Sequence, residues 1–154
     1  VLHRAFSAFL FNAKGELLLQ QRSGLKPLWP LCWSNSCCSH PREGESVETA
    51  VHRRIREELG LDSEPRFLYK FTYHARYGDS GSERELCWVF AGRHDGKAVV
   101  HPDEIAAIRY ITPAALSAEM DAEPDRFTPW FKMEWQRIQR DHLNEILAAT
   151  SGRR

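Results

Sequence analysis

WSNSCCSHPREGESVETAVHRRIREELGL, residues 33–61, is the stretch on which the reading of this chain turns. Cys37, Cys38, His40 and a run of carboxylates fall within it, residue types that serve acid–base chemistry, metal ligation or both. Val47, Ala50, Val51, Ile55 and Leu59 recur at i, i+3/i+4 spacing and predict a helix over Ser46–Leu59. Ser46 can cap its start and Gly60 its end. Glu45 and Glu48 lie near the positive end of its dipole. On its polar side Arg54 and Glu58 stand one turn apart, as do Arg53 and Glu57.

Working outward, Ala5–Asn12 and Glu16–Gln21 read as a hairpin joined by Ala-Lys-Gly. Arg22–Pro30 is a loop punctuated by Gly24, Pro27 and Pro30, with Arg22 and Lys26 its only charges. A short strand is expected at Cys32–Ser36 and a turn at Pro41–Glu45. Arg66–Tyr77 alternates aromatic and polar residues, which puts Phe67, Tyr69, Phe71, Tyr73 and Tyr77 on one face. After a turn over Gly78–Ser82, Glu83–Gly92 is the return strand. Pairing Tyr77 with Glu83 would set Ala75 opposite Glu85 and Tyr73 opposite Cys87, with Tyr73 diagonal to Glu85. A further strand at Ala107–Ile111 and helices at Pro113–Met120 and Phe127–Ala149 complete the chain. Phe131, Trp135, Ile138 and His142 form a stripe on the second helix. Hairpins mixed with helices predict one α+β domain over residues 1–154, with helices packed on a mixed sheet.

Composition narrows the function. Lys+Arg and Asp+Glu are 21 each, the isoelectric point is near 7.2, and 42% of residues are apolar. A nucleic-acid or membrane-surface binder needs a basic excess, which this chain lacks. No apolar run approaches the ~18 residues of a membrane span. Cys32, Cys37, Cys38 and Cys87 are expected to be reduced, in a cytoplasmic setting. With Val rather than Met first, and no signal pattern, the sequence is expected to be clipped, processed or incomplete at its N-terminus.

Glu45, Arg53, Glu57 and Glu58, followed by Gly60 and Leu61, match much of the Nudix box, in which helix carboxylates bind a hard cation that bridges a diphosphate. Two positions depart. Ser39 stands where the first Gly belongs, and Arg54 where the Glu of Arg-Glu belongs. Arg54 removes a ligand and adds a phosphate-binding cation, so the site is expected to hold a diphosphate rather than hydrolyse it. The same charges could instead be a solvated helix face; the box spacing favours binding. On the return strand, Glu83 and Glu85 are i, i+2 and project to one side. Burying both is costly without a cation or a shared proton, and His40 and His3 could supply ligands for a metal there. A solvated edge strand is the alternative.

Taken together, His3-Arg-Ala-Phe-Ser7, Phe11-Asn12, Trp29-Pro30, Trp33–Pro41, Gly44-Glu-Ser46, Glu57-Glu-Leu-Gly60, Glu83-Arg-Glu-Leu-Cys87 and Phe127-Thr-Pro-Trp130 resemble the type 1 isopentenyl-diphosphate isomerases, in order and over nearly the whole chain. The Asn-Ser-x-Cys-x-His-Pro element is the most specific part. The resemblance implies a Nudix-like fold that no longer hydrolyses diphosphate but moves a double bond between isopentenyl and dimethylallyl diphosphate. It implies Cys38 and Glu85 as catalytic residues and Tyr73 as support. His3, His40, Glu83 and Glu85 match ligands of an inner metal, Zn2+ or Mn2+, and Glu58 matches the ligand of a Mg2+ that holds the diphosphate. Arg22, Lys26 and Arg54 match phosphate contacts, and Trp130 the wall facing the hydrocarbon tail. The family also carries a histidine ligand upstream of His3, a segment this sequence does not include. The expected partner is a small isoprenoid diphosphate, with no nucleic acid and no membrane, and the chain a monomer or weak dimer. Two alternatives stay open: a Nudix pyrophosphohydrolase acting on nucleotide diphosphates, and a non-catalytic diphosphate- or metal-binding relative.

Overall fold

The computed structural model describes residues 3–150. Its elements are β1 (His3–Phe11), β2 (Leu17–Arg22), β3 (Trp33–Ser34), β4 (Cys37–Ser39), α1 (Val47–Leu59), β5 (Arg66–Tyr77), β6 (Gly81–Arg93), β7 (Ile105–Ile111), α2 (Pro113–Ala122), a short 3-10 turn at Pro124–Arg126, α3 (Pro129–Asp141) and α4 (Leu143–Thr150). The strands form one mixed sheet in which β1 runs parallel to β6 and antiparallel to its other partners. The expected α+β architecture is therefore observed.

The first hairpin is not a simple pair. β1 and β2 pair only at the neck, Phe11 with Leu17, and then splay apart. The opening segment fills the splay: β3 pairs with β2 and β4 pairs with β1, so the expected strand at Cys32–Ser36 is two short ones. Ser36 sits between them. Its Oγ accepts a hydrogen bond from Leu10 N (2.8 Å) on β1 and donates one to Leu18 O (2.6 Å) on β2. Asn35 Nδ2 donates to Ala8 O and Cys37 O. Splayed strands leave main-chain groups that neither can satisfy for the other, and the Asn-Ser pair supplies those partners.

The sheet separates two cores. Phe6, Ala8, Leu10, Cys37 and Phe90 pack with α1 residues Val47, Val51, Ile55 and Leu59. Ala5, Phe9, Cys87 and Val89 pack with Phe131, Trp135 and Ile138 of α3. Helix α1 is bounded as expected: Ser46 accepts from Thr49 N (3.1 Å), and Gly60 closes the helix at φ 64°.

Four local expectations are corrected. The β5–β6 turn is tighter than Gly78–Ser82: Tyr77 pairs with Gly81, so Tyr73 stands directly opposite Glu85 and Phe71 opposite Cys87. The slip is two residues, which keeps every side chain on its expected face. An irregularity between Phe67 and Tyr69 turns Phe67 off the aromatic face, where it packs on Phe90. The last helix breaks at His142 (φ −131°), whose ring stacks on Tyr69, and α4 continues separately. His3 lies within β1 rather than before it.

Candidate active site

One cavity of about 230 Å3 lies on the α3 side of the sheet. Its lining includes Arg22, Lys26, Cys38, His40, Arg54, Glu58, Tyr73, Glu83, Glu85 and Trp130, all but His3 of the catalytic, binding and metal residues that the family resemblance implies. Strand pairing explains the convergence. Cys38 pairs with Ser7, Glu85 pairs with His3, and Tyr73 pairs with Glu85, so β4, β1, β6 and β5 present these side chains on one face. Cys38 and Glu85 lie on strands either side of β1 and are offset along it, Cys38 level with Ser7 and Glu85 level with His3.

The adjacent thiols divide by the period-2 rule. Cys37 is fully buried against α1, whereas Cys38 is half-buried and lines the cavity. Burial pushes the Cys38 thiol up to about 12, so it carries its proton at neutral pH. All four cysteines are free.

His40 Nε2 lies 2.6 Å from Glu85 Oε1, and this contact raises the imidazole above its usual range. Burial, reinforced by the neighbouring Glu85, pushes Glu83 up to about 7. His40, Glu83 and Glu85 bring their ligand atoms within 4.8 Å of one another, and Glu85 Oε2 is buried without a partner. Two neighbouring acids, one with a carboxylate oxygen that has no partner among the described residues, and a histidine are donors of the type that could hold a divalent cation. His3 does not join that tight group. It lies beside Glu85 in the register and lines an adjoining surface cavity with His40, Glu83 and Glu85.

The other end of the cavity is cationic. Arg22 donates twice to Leu28 O and lies over the Trp130 ring at 5.3 Å. Arg54 is held by Glu57, Glu58 and Glu104. Glu58 is buried, its Oε1 accepting from Gln20 (3.1 Å) and its Oε2 from Arg54 (2.6 Å), and burial raises its carboxyl. Arg53 instead clamps Glu45 through two contacts of 2.8 Å. Trp130 is fixed by Phe127-Thr-Pro: Phe127 bridges to Trp33, Thr128 N donates to Trp33 O, and Thr128 Oγ1 meets Ser34 Oγ. Its ring stacks on Tyr73 and meets Trp29 edge-on.

Sequence reading missed Ser7, Gln20, Glu104 and Glu134. Glu134 had a visible signal, a charged residue inside the apolar stripe of α3, one turn after Trp130.

The fold and the box helix define the class: a family model for the NUDIX domain matches residues 1–131. The MutT protein from Methanosarcina mazei Go1 superposes with TM-score 0.75 at 18% identity, covering 91% of this chain and 94% of that one. The MutT NUDIX hydrolase from Burkholderia pseudomallei superposes at 0.65 and 22%, covering 86% and 98%. At those identities the likeness concerns fold alone. The sequence relatives are more particular. Isopentenyl-diphosphate Delta-isomerase 1 of Photorhabdus laumondii is 45% identical over 147 residues, covering 94% of this chain and 84% of that protein. The Isopentenyl-diphosphate Delta-isomerase of Escherichia coli O1:K1 is 43% identical over 136 residues, covering 87% and 75%. The chain belongs to the isopentenyl-diphosphate Delta-isomerase family within the NUDIX fold.

Proposed function

We propose that this chain is an isomerase that interconverts isopentenyl and dimethylallyl diphosphate through a tertiary carbocation. Family membership gives the activity, and one observation carries its assignment to this site. A protonated thiol and a carboxylate flank a single aromatic-walled cavity whose other end is cationic. Isomerising an unactivated alkene needs an acid on one face and a base on the other. In this reading Cys38 and Glu85 take those two tasks, and Tyr73, opposite Glu85 in the register, supports the carboxyl group; the shared cavity and the register support it.

Arg22 and Lys26 would meet the diphosphate, providing binding energy remote from the reacting carbons. Arg54 can join them only by releasing one of its three carboxylates. Trp130, with Trp29 and Tyr73 packed on it, closes the hydrocarbon end and excludes water that would trap the cation. Its indole face can stabilise that cation by about 2 kcal/mol when desolvated.

A divalent cation fits His40, Glu83 and Glu85, with His3 as an adjoining donor, and Zn2+ or Mn2+ suits this nitrogen and oxygen set. Bound there, it would orient the Glu85 carboxyl group and relieve the repulsion between the two acids. Mg2+ fits Glu58, because that ion takes one or two carboxylates and fills its shell from substrate phosphates.

Hydrolysis is disfavoured: Arg54 replaces the box glutamate and occupies two of the acids that remain, Glu57 and Glu58. The test is an isomerase assay with and without Mg2+ and Zn2+, beside a nucleotide diphosphate panel. Metal-dependent isomerisation without phosphate release is expected. Robust phosphate release, or binding of isopentenyl diphosphate without isomerisation in metal-loaded protein, would overturn the proposal.

A further inference from the structure

Glu134 takes no part in the reaction set out above, yet it is only 1% exposed, less than Glu85 at 3% or Glu58 at 5%. It projects from α3 towards β6. Its Oε2 lies 3.5 Å from Cys87 Sγ, which in turn lies 3.5 Å from Ser7 Oγ. Cys87 and Ser7 both line the reactive cavity. Glu134 therefore stands one thiol behind the cavity floor.

No salt bridge reaches it among the described residues. The titratable groups around it are Cys87 on β6, Tyr69 and Tyr73 on β5 and Cys38 on β4. Arg137, on its own helix, lies over the Tyr69 ring at 3.9 Å. Ser7 and Cys87 are the polar side chains that face the Glu134 carboxyl; among the described residues Glu134 Oε1 has no close hydrogen-bond partner, nor has Trp130 Nε1 one helical turn before it. A carboxylate in that setting is an uncompensated buried charge, whereas a neutral acid is only a buried dipole.

We infer that Glu134 is a positioning residue for the isomerisation: a neutral carboxylic acid whose Oε2 accepts a hydrogen bond from the Cys87 thiol and so holds the cavity floor beneath Cys38 and Tyr73. The inference rests on the function proposed above. Burial accordingly pushes the Glu134 carboxyl up to about 8. Above that pH a negative charge arises beside a thiol and a phenol that the reaction uses in neutral form.

Infrared difference spectra between wild type and E134Q test the protonation directly, and pH profiles of isomerisation test the role. At pH 7 the spectrum should carry the carbonyl band of a protonated acid, lost well above pH 8. Wild-type kcat should fall above about pH 8, and E134Q should lack that fall. E134Q should also exceed E134A at pH 7 by on the order of tenfold, the rate equivalent of one buried hydrogen bond. A carboxylate band at pH 7 with full isomerisation would overturn this inference alone. So would an unchanged alkaline fall in E134Q, or E134Q no faster than E134A. The protonated band without any wild-type isomerisation would reject the proposed function, and the positioning role with it.

Discussion

Ser36 should be worth more to this fold than its size suggests. It is fully buried, and its single oxygen serves two main-chain groups, Leu10 N at 2.8 Å and Leu18 O at 2.6 Å. Ser36→Ala leaves a donor on β1 and an acceptor on β2 unsatisfied, in a space with no access to water. Each orphaned group costs about 1–3 kcal/mol, so the pair costs about 2–6 kcal/mol. With a urea slope of about 2 kcal/mol per M, the unfolding midpoint should fall by about 1–3 M. The assay is equilibrium unfolding followed by tryptophan fluorescence, with Ser46→Ala as a helix-cap control expected to lose about 1 kcal/mol. A loss below about 1 kcal/mol for Ser36→Ala would refute the reasoning, because the splay of β1 and β2 would then not depend on that bridge.

The neighbouring thiols should separate stability from activity. Cys37→Ala empties a fully buried site beneath α1 and should cost about 1 kcal/mol in chemical denaturation, with isomerisation retained. Cys38→Ala should leave stability within about 0.5 kcal/mol and lower kcat by at least about 100-fold in a steady-state assay. Gly92→Ala would set a Cβ 2.7 Å from the Cα of Pro65, and should cost about 1–3 kcal/mol, read as a lowered Tm. Stability should also fall as pH rises from the ordinary carboxyl value of 4.5 towards about 8. Over that window the unfolded chain releases the Glu134 proton while the folded chain keeps it. Glu134→Gln should flatten this part of a pH–stability curve measured in urea, and an unchanged slope would contradict it.

Much of this arrangement was legible in the sequence because it is periodic. The 3.6-residue spacing of Val47, Val51, Ile55 and Leu59 announces α1, and Ser46 and Gly60 mark its ends. The i, i+2 spacing of Glu83 and Glu85 places both beside the cavity. Where the reading slipped, a non-periodic feature decided. The exact turn length between Tyr77 and Gly81 set the register, and an irregular step beside Leu68 moved Phe67. The break at His142 follows from a ring stacked on Tyr69, a contact 73 residues away that no local pattern encodes. The i, i+4 spacing of Arg54 and Glu58 is visible in the sequence, but the contact of Arg54 with Glu104 depends on the approach of a segment 50 residues further along. Motifs mark the residues that line the cavity, whereas Glu134 belongs to no motif.

The central claim is that Cys38 and Glu85 move the protons. Metal-loaded protein incubated with isopentenyl diphosphate in D2O should incorporate deuterium into the recovered substrate and product. Cys38→Ala and Glu85→Gln, each shown to be folded, should lose that incorporation. Near wild-type exchange in either variant would contradict the role assigned to that residue.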